Sequence, residues 1–288
     1  MYAVYGDIHG DMESLERVLG YLESRRDITH HFFTGDVFGL PPNHELNLYK
    51  GSHPLLSGSN KKMLHTQTLR EQGDQLKDFE ERLSSHPQIK ERFSFVGGNF
   101  DPHHVPDLSE VDIHHQARSI DGKRAYGHGG SYYEPTSVSW LLHPFSWAYF
   151  LKQDRKDEMT RLLQAEQLDI ILSHSPIKEY VAHFLEKQDQ ATLLYLGGHT
   201  HVQQFKAIEH DTPEKTVYLL RPGAAGITLH GGTGEPLPKT LMVYDPTNPE
   251  ECQLLTLEEE TIREETLTPE RVPLKQYLDQ QAKWDLKP

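Results

Sequence analysis

Apolar residues occur in short runs, each cut off by a turn. Tyr2 to Tyr5 reads as a buried first strand. Asp11 then stands as a helix N-cap, with Leu15, Val18, Leu19 and Leu22 behind it at i, i+3, i+4, i+7 spacing. His30 to Thr34 is a second short strand ending at Gly35-Asp36. This strand–turn–helix–strand order predicts an α/β layered fold. Residues 40–60 are loop-like, rich in Pro, Gly, Ser and Asn, and residues 61–92 carry Leu64, Leu69, Leu76, Phe79 and Leu83 at helical spacing. One or two surface helices are expected there, so that 40–90 is an insertion or an extended crossover. The strand pattern returns at 92–96 and, less clearly, at 111–126.

The stretch 131–167 differs. Its aromatic cluster (Trp140, Phe145, Trp147, Tyr149, Phe150) passes into a charged helical pattern near 152–166. Asp169 to Leu172 and Leu193 to Leu196 are strands, and hairpin-like runs follow at 203–209, 216–221 and 239–244. Residues 258–288 are acidic and then amphipathic. The pattern predicts one domain over 1–250, with insertions at about 40–90 and 131–167, and a peripheral tail and helix over 251–288. No internal repeat is visible.

Composition narrows the class. The 288 residues are 36% hydrophobic and 25% charged, enough to bury a core, and no stretch approaches the roughly 20 apolar residues of a membrane span. Acidic residues exceed basic ones by 43 to 29, a formal charge of −14, and no Lys/Arg run overrides that repulsion toward nucleic acid. Cys252 is the one cysteine, which excludes an internal disulfide framework. With no charged leader or apolar signal core ahead of the first strand, the expectation is a cytoplasmic protein.

The chemistry lies in five turns. Gly6-Asp7-Ile8-His9-Gly10, Gly35-Asp36, Gly97-Gly98-Asn99-Phe100-Asp101, Ser173-His174-Ser175-Pro176 and Gly197-Gly198-His199-Thr200-His201 each follow a short hydrophobic run. In layered α/β proteins, ligands collect at the carboxyl ends of strands. The functional atoms here are carboxylate and amide oxygens and imidazole nitrogens. Such mixed ligation without thiolate suits Mn, Fe, Zn or Co, with manganese first among them. Asp7-x-His9 and His199-x-His201 place ligands in pairs, because alternate residues of an extended segment point the same way. Asp36, between the pairs, can bridge two ions, and two ions roughly 3.5–4 Å apart can clamp a phosphate.

In these residues the chain resembles the calcineurin-like metallophosphoesterases, over roughly 1–245 with 40–90 and 131–167 not clearly matched. The family's pattern is Asp-x-His, Gly-Asp, Gly-Asn-His-Asp/Glu, a later strand-end His, and Gly-His-x-His. The resemblance implies a four-layer α/β/β/α fold, a β-sandwich flanked by helices. It also implies one divalent ion on Asp7, His9, Asp36 and His201 and a second on Asp36, Asn99, His174 and His199. Arg221-Pro222-Gly223-Ala224 resembles the family's late, structural Asn-Pro-Gly-Ser turn.

Two departures qualify the match. Phe100 stands where the family carries the His that assists the leaving group. Gly35-Asp36-Val37-Phe38-Gly39 lacks the Asp-Arg-Gly extension of the protein serine/threonine phosphatases, which points to a small phosphorylated substrate. The leading expectation is therefore hydrolysis of phosphomonoesters or phosphodiesters. The alternative is a protein-interaction scaffold that keeps the fold without turnover.

Gly127-His128-Gly129-Gly130 is either a phosphate-facing loop with His128 as catalytic proton donor, or a tight turn. His103 and His104 are second choices for that donor or exposed loop residues. The 140–150 aromatics roof the site or fill a small accessory core. Arg118, Arg124 and Arg221 are further phosphate ligands to consider, and nothing in their spacing selects one. The pattern sets no oligomeric state.

Overall fold

Residue alternation along β1 (Tyr2–Tyr5) feeds two cores at once. Tyr2 and Val4 point into one and Ala3 and Tyr5 into the other, the period-2 alternation of a strand buried on both faces. The computed structural model describes residues 1–38, 61–98, 101, 109–130, 167–175, 177–210, 214–227 and 236–285, with backbone alone for 61–72 and 282–285. The expected 152–166 helix, the 140–150 aromatics, His103, His104, Asn99 and Phe100 lie outside these residues.

The first sheet contains β1, β2 (His30–Phe33), β3 (Phe93–Phe95), β10 (Lys239–Tyr244), β11 (Cys252–Leu257) and β12 (Ile262–Leu267), in the order β12-β11-β10-β1-β2-β3. The second holds β4 (Ala117–Ile120), β5 (Lys123–His128), β6 (Ile170–Ser173), β7 (Thr192–Gly197), β8 (Gln204–Glu209), β9 (Thr216–Arg221) and β13 (Glu270–Pro273), in the order β13-β8-β9-β7-β6-β5-β4. β1, β2 and β3 run parallel, as do β5, β6, β7 and β9. Their carboxyl ends therefore share an edge within each sheet.

Three cores separate four layers. The outermost packs α1 (Met12–Ser24), α2 (Lys61–Ser85) and α3 (Pro87–Lys90) on the first sheet, through Leu15, Leu19, Phe79, Leu83 and Ile89. The middle core joins the two sheets through Tyr2, Val4, Phe32, Leu172 and Leu196. The third packs α4 (Lys178–Lys187) and α5 (Leu274–Asp285) on the second sheet. This is the expected α/β/β/α order. No helix among the described residues is long and apolar enough to cross a membrane.

The helix expected behind Asp11 is α1. Asp11 Oδ1 accepts from the Ser14 N–H at 3.1 Å, and Leu15, Val18, Leu19 and Leu22 are buried. α2 and α3 form the crossover between parallel β2 and β3, a connection that parallel pairing requires.

The C-terminal segment differs from the expected peripheral tail. β11 and β12 extend the first sheet, β13 joins the second, and α5 buries Leu274 and Tyr277. Charge hid this in the sequence. β12 is an edge strand whose middle residues, Arg263 to Thr266, are exposed, and charged side chains are how natural sheets guard an edge.

Candidate metal centre

The site is built where the two sheets' strand ends meet. The turn after β1 lies along the turn after β2: the Asp7 N–H donates to Gly35 O at 2.7 Å, His9 N–H to Asp36 O at 3.0 Å, and Gly10 N–H to Val37 O at 2.8 Å. The turn after β7 joins through His199 N–H, which donates to Asp7 Oδ1 at 3.1 Å, and through Gly198 N–H to His174 O at 2.9 Å. Gly98 backs Asp36 closely: a Cβ on Gly98 would lie 2.0 Å from Asp36 Oδ1. Only glycine fits there.

Asp7 and His9 converge by a different route from the one expected. Neither is extended, since their φ angles are 52° and 51°. Among the described residues, seven non-glycine residues have positive φ, and five of them are Asp7, His9, Asp36, His199 and His201. The left-handed region costs a residue with a Cβ about 1–2 kcal/mol. That cost falls on the Asp and His side chains that meet at this edge, in keeping with backbone strain gathering at functional sites.

The side chains form two adjoining groups, Asp7/His9/His201 and Asp36/His174/His199, each with its ligating atoms within 4.8 Å of one another. In the first, His9 Nε2 is 2.9 Å from His201 Nε2, and His201 Nε2 is 3.4 Å from Asp7 Oδ1. In the second, His174 Nε2 is 3.2 Å from Asp36 Oδ2 and 3.2 Å from His199 Nδ1. Asp36 Oδ2 is also 4.0 Å from His9 Nε2, so this carboxylate stands between the groups. Two atoms each about 2.1 Å from one ion stand about 3.0 Å apart at a right angle and about 3.4 Å apart at the tetrahedral angle. The short separations have the spacing of ligands to a common cation.

Protonation fits as well. His174 Nδ1 lies 2.8 Å from Thr34 O, so that nitrogen carries a proton and Nε2 is the atom that faces Asp36 and His199. Burial opposes charge on His174, but Asp36 outweighs it and pushes the imidazole up to about 9. A cation between them would take that proton's place. Burial, reinforced by His174, pushes His199 down to about 3, leaving a neutral ring able to ligate. Asp7 and Asp36 are almost fully buried, and burying two carboxylates side by side calls for positive charge nearby.

Asp101 belongs to the same construction. It is fully buried, accepting from Gly98 N–H at 2.7 Å and from Phe38 N–H at 3.0 Å. Burial and then the Asp36 charge push it up to about 7. The spacing of the motif marked this residue without showing what it holds.

A third group, His114/His115/His128, also brings imidazole nitrogens within 4.8 Å. The rings of His114 and His115 stack at 4.0 Å. Gly129 N–H donates to His114 Nδ1 at 2.7 Å. A neutral His114 then carries its proton on Nε2 and has no lone pair to give a cation. His128 is 1% exposed, and burial, followed by His114 and His115, holds it well below the usual imidazole range. This environment opposes the protonated donor suggested by its Gly-rich loop.

Two of the arginine candidates have partners in the chain. Arg118 donates to the carbonyls of Glu110 and Asp112. Arg221 is buried, donates to Thr200 Oγ1 at 3.4 Å within the His199–His201 turn, and feels the Asp7 charge.

A family model for calcineurin-like phosphoesterases matches residues 2–203. No curated protein matches the chain. Among solved structures, the chain is similar to a 5'-nucleotidase precursor from Thermus thermophilus, at 13% identity and TM-score 0.38, over 98% of this chain and 57% of that one. It is similar to the NAD nucleotidase of Haemophilus influenzae at 9% identity and TM-score 0.41, over 92% and 48%. A phosphatase from Mycoplasma pneumoniae gives 11% identity and TM-score 0.33, over 94% and 93%. The chain spans about half the length of the two nucleotidases.

Proposed function

Because the chain belongs to the calcineurin-like phosphoesterase family, we propose that it hydrolyses phosphomonoesters or phosphodiesters of a small molecule at a two-cation centre. The observation that carries this is the pair of adjoining Asp/His groups with Asp36 between them. In this reading Asp7, His9 and His201 hold one divalent ion, His174 and His199 hold the other, and Asp36 is shared. Asn99 joins the second set from outside the described residues. Manganese is the first choice, and Fe, Zn and Co suit the same donors.

Two such ions, when bound, supply Lewis acidity toward phosphoryl oxygens and a water acidic enough to attack near neutral pH. The chain's own residues do the rest. Thr34 O holds the His174 ring so that its lone pair faces the centre. The His199 N–H holds the Asp7 carboxylate. Left-handed backbone at Asp7, His9, Asp36, His199 and His201 helps bring these side chains into the two groups.

The test is metal analysis of the purified protein, followed by assays on an activated aryl phosphate and on its diester with Mn, Fe, Zn or Co added. Two ions per chain with turnover is the expected result. Two ions without turnover on any phosphoester would favour the scaffold reading, and no bound metal would remove both readings.

A further inference from the structure

We propose that Asp101 is a positioning residue for Asp36: its carboxylate clamps the turn after β2 to the turn after β3 and so sets where Asp36 stands between the two Asp/His groups. This rests on the reading of Asp36 as the shared ligand. The contacts close a ring. Asp36 is followed by Val37 and Phe38, the Phe38 N–H donates to Asp101 Oδ1, the Gly98 N–H donates to Asp101 Oδ2, and Gly98 packs on the Asp36 carboxylate. Val37 and Phe38 are anchored in the outer core at 1% exposure each. The clamp therefore refers Asp36 to a rigid layer rather than to a loose turn.

A carboxylate is the suitable group here. Each N–H needs an acceptor, and both oxygens of an ionised Asp accept. An Asn would satisfy one N–H and point its own NH2 at the other. Residues that orient metal ligands from behind typically affect metal affinity by about 10–100-fold.

The experiment compares wild type, Asp101→Asn and Asp101→Glu. Mn2+ binding is measured by equilibrium dialysis, and exchange of the Gly98 and Phe38 amides is followed in metal-free protein. The expected result for Asp101→Asn is faster exchange at both amides and Mn2+ affinity weaker by about 10–100-fold. Its lost turnover should return at high Mn2+ with KM for the aryl phosphate unchanged. Wild-type affinity in Asp101→Asn overturns the proposal, and so does a turnover loss that Mn2+ does not repair. If Asp101→Asn does not fold, Asp101→Glu decides: weakened Mn2+ binding supports the clamp, and unchanged binding overturns it. Wild type that binds no Mn2+ would instead overturn the metal-centre reading itself.

Discussion

Two histidine groups of similar density lie at the strand ends, and they differ in one hydrogen. At His174 the ring Nδ1 donates to the Thr34 carbonyl, whereas at His114 the ring Nδ1 accepts from the Gly129 N–H. The first leaves Nε2 as the atom that can face a cation, the second puts the proton of a neutral ring there. The groups also differ in charge, since His174 and His199 share their site with Asp36 while the His114 group contains no carboxylate. Convergent imidazoles alone therefore do not distinguish the two groups. The partner of the far ring nitrogen and a neighbouring anion decide.

The largest effect should come from the carboxylate that sets the two groups apart. Asp36→Asn should lower turnover by more than the roughly 100-fold typical of losing a group behind the ligands. Metal analysis should find one ion or none. Two ions and near-normal turnover would break the comparison at its centre.

Metal removal should come next. Ions at about 100 times their Kd stabilise a folded chain by about 2.7 kcal/mol per site. Chelation should therefore lower Tm by at least several degrees, and added Mn2+ should restore it. Thermal melts of His114→Ala with and without chelator should show the same drop. A smaller drop in that variant would assign a cation to the His114 group.

His128→Ala should matter less. It should retain two ions, and its loss of turnover should be smaller than the roughly 100-fold or more that a general acid contributes. Aryl and alkyl esters should suffer alike. A selective loss on alkyl esters would restore His128 as the proton donor to the leaving oxygen.

The smallest expected effect lies away from both groups. His31 is buried edge-on to Tyr5, and burial pushes it down to about 3 from an ordinary value of 6.5. The unfolded chain binds the extra proton between these values. The stability that a neutral His31 contributes is then present above about pH 6.5 and lost as pH falls toward 3. Urea unfolding across that window should show a shallower acid slope in His31→Phe than in wild type. An unchanged slope would mean that other groups govern it.

Much of the centre is legible in the chain, because ligand type and strand-end placement are local. Asp7, His9, Asp36, His174, His199 and His201 each follow a short apolar run, and the structure brings them together in two groups. The route differs at Asp7-x-His9, where the sequence suggests extended backbone. The left-handed turns there are held by hydrogen bonds to Gly35 and Asp36, nearly thirty residues on. The strands of 252–273 are illegible for a similar reason. An edge strand with Glu264 and Glu265 outward shows little apolar alternation.

By itself, then, the sequence determined the layered fold, the α1 helix with its Asp11 cap, and the inventory of Asp and His side chains that meet at the centre. These follow from residue type and short-range periodicity. The tertiary structure alone decided which ring nitrogen of His174 and of His114 meets a backbone partner, that His128 is buried, and that Asp101 accepts from two turns. Each depends on a partner from another strand or turn: Thr34 lies 140 residues from His174 in sequence, and Phe38 lies 63 from Asp101. A proton's place is set by the groups packed around it, and those are chosen by the meeting of strands.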